Sequence, residues 1–305
     1  MANKAKLPLH TLSGSARDCG RAYGEMFREA MLGFCVQEVR PDTKRLAYAR
    51  RCWKHVEHDA PASARLMRGM AEGSTLSIEQ ITLISLHEEI VHQPHCTAFA
   101  ATGSATRDGD TLVAMNWDWA ANLYPWASLL RLDVAGSPRV LTYQFPGLWA
   151  GAGINEHGLS FMWTGSGYQP RLAPITGMPT YVIMAEMLRG KSVPAALKFL
   201  DGIRHAGSFI FVLGDAAGRI AVVEGMPRRL SIDRSDAALS RANHYTCTDM
   251  VRCAKQDIPD DPKISTSYRG RRMAKLMDEH FGKLTIRGSR RVLTDRDGDG
   301  PWIDQ

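Results

Sequence analysis

Over the first 95 residues, apolar positions recur at the three-to-four residue spacing of amphipathic helices. Tyr23, Met26, Phe27, Ala30, Met31 and Phe34 share one helical face, and Ser15 followed by Asp18 has the form of a capping box ahead of them. The same periodicity predicts helices over 43–56, 62–70 and 77–91. In the last of these, Ser77 and Gln80 repeat the capping pattern before Ile81, Ile84 and Leu86, and Pro94 ends the run. Beyond Pro94 the texture changes to short runs rich in β-branched and aromatic residues at 97–101, 111–117, 129–134, 140–145 and 159–163. Between them lie Asp108-Gly109-Asp110, Gly136-Ser137-Pro138, Pro146-Gly147 and Asn155-Glu156-His157-Gly158, turn chemistry at the spacing of an antiparallel meander rather than a βαβ series. Two helices are predicted next, over 179–189 with Gly190 closing it and over 192–200, before strands return at 209–213 and 220–224. The pattern reads as one α+β domain: a helical N-terminal segment, 1–95, packed together with a strand-rich segment, 96–305.

Composition narrows the function classes. A chain of 305 residues with 44% hydrophobic and 23% charged positions can bury a full core without disulfides or metals. Thirty-eight Lys and Arg against 32 Asp and Glu leave a net charge of +6. The excess gathers late, in Arg269, Arg271, Arg272, Lys275, Lys283, Arg287, Arg290 and Arg291, with no aromatic ladder interleaved. That argues against a nucleic-acid partner and for a solvated basic face, or a local site for an anionic substrate group. The first ten residues lack the apolar run of a signal peptide, and no stretch has the length of a membrane span, so a cytoplasmic protein without a membrane partner is expected. Six cysteines (Cys19, Cys35, Cys52, Cys96, Cys247, Cys253) form no C-x-x-C pair, which suits reduced, mostly buried thiols.

Most candidate motifs fail on spacing. His87-Glu88-Glu89-Ile90-Val91-His92 sets its histidines five apart, whereas the zinc helix needs them four apart on one face; His92, His95 and Cys96 lack a fourth ligand, so no metal is expected. Asp295, Asp297, Asp299 and Gly300 match the first half of a calcium loop, but the position for its closing glutamate falls past Gln305, and an acidic turn is the better reading. Gly151-Ala152-Gly153 is no phosphate loop, and Gly165-Ser166-Gly167 is not the G-x-S-x-G elbow. Cys96 is different: it opens the first predicted strand directly after the helical segment, a boundary where a thiol can be either a nucleophile or one more small core residue.

Four ordered segments settle that choice by resemblance. They are Gly14-Ser15-Ala16-Arg17-Asp18-Cys19-Gly20-Arg21-Ala22-Tyr23-Gly24-Glu25; Cys96-Thr97 with Asp108-Gly109 and Asn116-Trp117-Asp118; Gly153-Ile154-Asn155-Glu156-His157-Gly158-Leu159; and Asn243-His244 with Ser265 and Arg269. Together they resemble the acyl-coenzyme A:6-aminopenicillanic acid acyltransferase (isopenicillin-N acyltransferase-like) family of autoproteolytic cysteine N-terminal nucleophile (Ntn) hydrolases. The resemblance implies a four-layer αββα sandwich of mainly antiparallel sheets and a precursor that cuts itself between His95 and Cys96, where the family commonly has glycine before the cysteine. The freed α-amino group, with an ordinary pKa of about 7.7–8.0, would then serve as base toward its own thiol. Cys96 would attack an amide or thioester carbonyl, Asp118 would orient the α-amino group or the substrate, and Asn243 would donate to the oxyanion. Thr97, Asn155, Ser265 and Arg269 are the implied substrate contacts. The implied partner is a small-molecule acyl amide, with an acyl-coenzyme A cosubstrate where transfer outruns hydrolysis, and no organic cofactor.

Three other readings make different predictions. A catalytically silent homologue that binds acylated small molecules or a protein partner would stay uncut. A papain-like thiol enzyme would pair Cys96 with His244 and need no cleavage. A nucleic-acid binder would lose affinity steeply with salt and ignore Cys96→Ala.

Overall fold

The computed structural model describes residues 6–91, 96–119, 121–166, 175–254 and 265–296. In chain order the elements are β1 (Leu9–Gly14), α1 (Ala16–Met26), α2 (Arg28–Phe34), a π-helical turn (Cys35–Val39), α3 (Thr43–Asp59), α4 (Pro61–Ser74), α5 (Ile78–Ser85), α6 (His87–Ile90), β2 (Thr97–Gly103) and β3 (Gly109–Asn116). A 3-10 turn (Ala121–Trp126) leads to β4 (Ser128–Val134), β5 (Val140–Phe145), β6 (Leu148–Asn155), β7 (Ser160–Gly165), α7 (Thr180–Met187) and α8 (Val193–Asp201). The chain closes with β8 (Phe209–Gly214), β9 (Ile220–Met226), β10 (Arg229–Ser235), β11 (Ala238–Arg241), α9 (Thr248–Ala254), α10 (Ser265–Glu279) and α11 (Ile286–Leu293). The fold resolves into two compact units, one of residues 1–91, 120–156 and 176–189, the other of 92–119, 157–175 and 190–305.

In the first unit, β1 runs parallel to β4, β4 and β5 pair antiparallel as expected, and β6, a strand the sequence pattern does not predict, adds antiparallel to β5. Both expected N-caps form: Ser15 accepts from the Asp18 amide, and Ser77 with Gln80 makes a complete capping box. The pattern Gly20-x-x-Tyr23-Gly24 has a local explanation. α1 and α4 lie backbone to backbone, so a Cβ on Gly20 would stand 1.9 Å from the Leu66 carbonyl oxygen, and one on Gly73 would stand 2.1 Å from that of Arg21. Tyr23 is buried between them and the strands, donating its hydroxyl to Gln144 Oε1 and accepting from the Gly147 amide at 2.9 Å. At the end of this helical segment Glu89 is also buried; its Oε1 accepts from the Thr180 amide (3.0 Å) and hydroxyl (2.8 Å), which caps α7.

In the second unit, β2 is the middle strand of an antiparallel sheet ordered β11-β2-β3, and β7, β8, β9 and β10 form a second antiparallel set. Alternation along β2 explains its burial on both sides. Ala98 and Ala100 meet Ile210, Val212, Ile220 and Val222 of the facing strands, while Phe99 and Ala101 pack under Met273, Leu276 and Val292 of α10 and α11. On the far side, α8 is tied to β8 at both ends: the Val193 amide donates to Asp215 at 2.8 Å, and His205 sets its ring edge-on to Phe209. The resulting order of helix, sheet, sheet and helix is the αββα sandwich expected for the chain. Among the described residues, no helix is long and apolar enough to cross a membrane. Among the described residues, the cysteines form no disulfide.

Candidate active site

Cys96 lies immediately before β2, with 3% of its surface exposed. In the ladder to β3, Thr97 stands opposite Asn116. Cys96 directly precedes the first paired residue of β2, and Trp117 and Asp118 directly follow the last paired residue of β3. The thiol is thus delivered by a strand buried on both faces, and the Asn116-Trp117-Asp118 segment leaves the neighbouring strand beside it. The indoles of Trp117 and Trp119 stack at 5.5 Å, and Trp117 meets the buried Trp163 of β7 edge-on at 5.3 Å. Of the other aromatics, Tyr124 and Trp126 belong to the first unit and are exposed.

Around Cys96 the organising group is Arg269, on the first turns of α10 and fully buried. Its Nη1 donates to the carbonyl oxygen of Cys96 and to Thr97 Oγ1 (2.7 Å), its Nη2 to Asn243 Oδ1 (2.7 Å) and its Nε to Ser265 Oγ (2.9 Å). A buried guanidinium is tolerated when its rigid fork is spent on acceptors, and here it joins the strand start, the segment after β11 and its own helix. Asn243 is held from both ends: besides accepting from Arg269, its Nδ2 donates one hydrogen to the Gly165 carbonyl at 2.8 Å. Its backbone amide donates to Thr266 Oγ1 (2.9 Å), which also lies 2.8 Å from His244 Nδ1. Burial holds the His244 imidazole below its usual pKa, favouring the neutral ring.

The structure therefore brings together Cys96, Thr97, Asn243, Ser265 and Arg269, and sets Asp118 on the segment flanking the thiol. Asn155 belongs to the first unit, where its amide donates to the Leu188 carbonyl at 2.8 Å, an internal structural bond. His95 lies outside the described residues. Two participants went unread in the sequence: Thr266, one polar residue in a polar run, and Gly165, which acts through its carbonyl and so carries no side-chain signal. Arg269 stands in the late basic run of the sequence, yet it is buried and no part of a solvated face.

Residues 105–301, more than half of the chain, match the family described as acyl-coenzyme A:6-aminopenicillanic acid acyl-transferase. The chain belongs to that family. The match includes Asp118, Asn243, Ser265 and Arg269 and begins beyond Cys96. Among curated proteins, none matches the sequence. Solved structures similar to this acyl-transferase family member include the C2A mutant of a conjugated bile acid hydrolase from Clostridium perfringens, at 16% identity over 65% of this chain and 78% of that one, TM-score 0.45. Another is a penicillin V acylase from Agrobacterium tumefaciens, at 13% identity over 66% of this chain and 63% of that one, TM-score 0.35.

Proposed function

We propose that this protein cuts itself between His95 and Cys96 and then uses the N-terminal cysteine to take the acyl group of a small-molecule amide or thioester. The observation that carries the reading is the seat of Cys96: the residue heads a strand buried on both faces, and its carbonyl is gripped by a buried arginine that also holds the Asn243 side chain. A nucleophile held this way needs little reorganisation to react.

In self-cleavage the thiol attacks the His95 carbonyl, the peptide nitrogen leaves as an amine after gaining a proton, and water hydrolyses the resulting thioester to free the His95 carboxylate. In turnover the α-amino group takes the thiol proton and the thiolate attacks the substrate carbonyl. Asn243 Nδ2, with one hydrogen on Gly165, has its second N–H for the oxyanion. The ammonium returns its proton to the departing amine or thiol, leaving an acyl-cysteine thioester that water or an acceptor amine discharges. Asp118 orients the α-amino group. The family's name supports an acyl-coenzyme A thioester as one donor. The stacked indoles of Trp117 and Trp119, on the segment that carries Asp118, would line the acyl side of the site.

Intact-mass measurement of freshly purified wild type and Cys96→Ala, with N-terminal sequencing of fragments, tests the reading. The expected result is wild-type fragments spanning 1–95 and 96–305, the larger beginning Cys-Thr-Ala, and an uncut variant. A wild type that stays whole through prolonged incubation would exclude the α-amino base, and a silent binding protein or a papain-like thiol enzyme would then be the better description.

A further inference from the structure

Helix α11 is joined to the catalytic corner by a chain of bonds that the proposed chemistry does not use. Asn116 ends β3 and donates its side-chain amide to the Leu293 carbonyl at 2.7 Å. Leu293 is the last residue of α11, where helix carbonyls have no partner within the helix and are free to take one from outside. Two residues on, Asp295 receives both arms of Arg272, Nε to Oδ2 at 2.7 Å and Nη2 to Oδ1 at 2.6 Å, with only 11% and 15% of the two side chains exposed. Arg272 lies three residues along α10 from Arg269. The path closes on itself: Arg269 grips Cys96, Arg272 grips Asp295, Leu293 grips Asn116, and Asn116 pairs with Thr97 next to Cys96.

From this ring we infer that Asp295 is a positioning residue: with Arg272 it clasps the end of α11 to α10, fixes Asn116, and thereby sets Asp118 relative to the Cys96 amine. The inference rests on the N-terminal-cysteine reading above. A bidentate, mostly buried pair resists both rotation and sliding, which a lone carboxylate on a flexible tail would not. The link to Asp118 is short, because only Trp117 separates it from Asn116. Displacements of about 1 Å at a catalytic corner can cost ~100-fold in rate, so a clasp remote from the thiol can still control it.

The test compares wild type, Asp295→Asn, Asp295→Glu and Asn116→Ser for self-cleavage by intact mass and for acylation by p-nitrophenyl acetate as a function of pH. Asp295→Asn should keep its fold by circular dichroism, cut and acylate roughly 10- to 100-fold more slowly through kcat rather than KM, and shift the acidic limb of its rate profile to lower pH. The shift follows because a displaced Asp118 carboxylate no longer favours the protonated amine. Loss of folded protein would scale the profile without moving the limb. Asp295→Glu, which retains the charge, should recover part of the rate. Asn116→Ser keeps the ion pair and removes the link to Leu293, so it should slow both steps as well; it serves as the deciding variant if Asp295→Asn does not fold. Wild-type rates with an unmoved limb in whichever of the two folds overturn the clasp. An uncut, unacylated wild type overturns the underlying reading and the clasp with it, a result distinguishable because it needs no variant.

Discussion

At the scale of single residues, the site is an exercise in satisfying one buried cation. Arg269 donates to Cys96, Thr97, Asn243 and Ser265, so its removal leaves buried acceptors unmet, each costing about 1–3 kcal/mol. Arg269→Lys retains the charge but supplies three donors from a single point in place of a planar fork, and cannot reach every oxygen. The expected outcome is a loss of roughly 2–4 kcal/mol in urea unfolding together with self-cleavage slowed about 100-fold or more. A lysine variant that cuts at the wild-type rate would remove Arg269 from the machinery. The residue before the thiol supports a second prediction. Glycine at 95 would enter torsions that His95 resists, so His95→Gly should speed self-cleavage, read as the half-life of the intact chain after synthesis.

At the scale of elements, glycines decide how α1 and α4 meet. Replacing Gly73 with alanine should gain up to about 1 kcal/mol in helix propensity, yet its Cβ would stand 2.1 Å from the Arg21 carbonyl oxygen. That atom is backbone in a rigid helix, so the helices must part, and we expect a net loss of about 1–3 kcal/mol measured by urea unfolding. A variant as stable as wild type would show that the contact has slack. These elements also mark what could be read in advance. Helix starts at Ser15 and Ser77, the meander of β4 and β5, and the position of Cys96 at the head of β2 all followed from local chemistry, because caps and alternation act within a few residues. β6 did not, since Gly151 and Gly153 deprive its stretch of the β-branched signal that marks the other strands. Within the fold Gly153 is needed because a Cβ there would stand 2.7 Å from the Leu141 carbonyl oxygen of the adjacent strand. Nor did the parallel pairing of β1 with β4, or the roles of Gly165 and Thr266, because each depends on partners distant in the chain. The fourfold grip of Arg269 was invisible for the same reason: among eight late basic residues, nothing local separates the buried Arg269 and the mostly buried Arg272 from the solvated ones.

At the scale of the whole molecule, pH acts through buried groups that oppose one another. Glu89 is buried beneath α7, and desolvation, only partly offset by the bonds from Thr180, pushes its pKa up to about 7 from the ordinary 4.5. The folded protein therefore holds this proton over a range in which the unfolded chain has already released it. The contribution of Glu89 to stability is fully present below pH 4.5, declines as pH rises toward 7, and is level above that. His205 and His244 act in the other sense: burial lowers both, so folding is penalised as pH falls below the ordinary histidine value of 6.5. Glu89→Gln separates the two effects. Glutamine presents the same carbonyl oxygen to the Thr180 amide and hydroxyl, but has no proton to lose. At pH 4.5 its stability should be close to that of wild type. By pH 8 it should be the more stable protein, by up to about 3 kcal/mol, since each tenfold change in proton affinity between the folded and unfolded chain is worth about 1.4 kcal/mol. The histidine-driven rise from pH 5 to 7, masked in wild type, should then stand out in the variant. Urea midpoints at half-unit intervals from pH 4.5 to 8 measure this directly. Parallel curves for the two proteins would mean that Glu89 titrates as an ordinary carboxylate and reaches solvent when ionised. Glu89 caps α7 from the end of the helical segment that precedes the proposed cut between His95 and Cys96, so curves that diverge as expected would bear on that proposal. On that proposal, the helical segment would be held most firmly to its own unit below neutral pH, whereas the α-amino base that a cut would free works best above it.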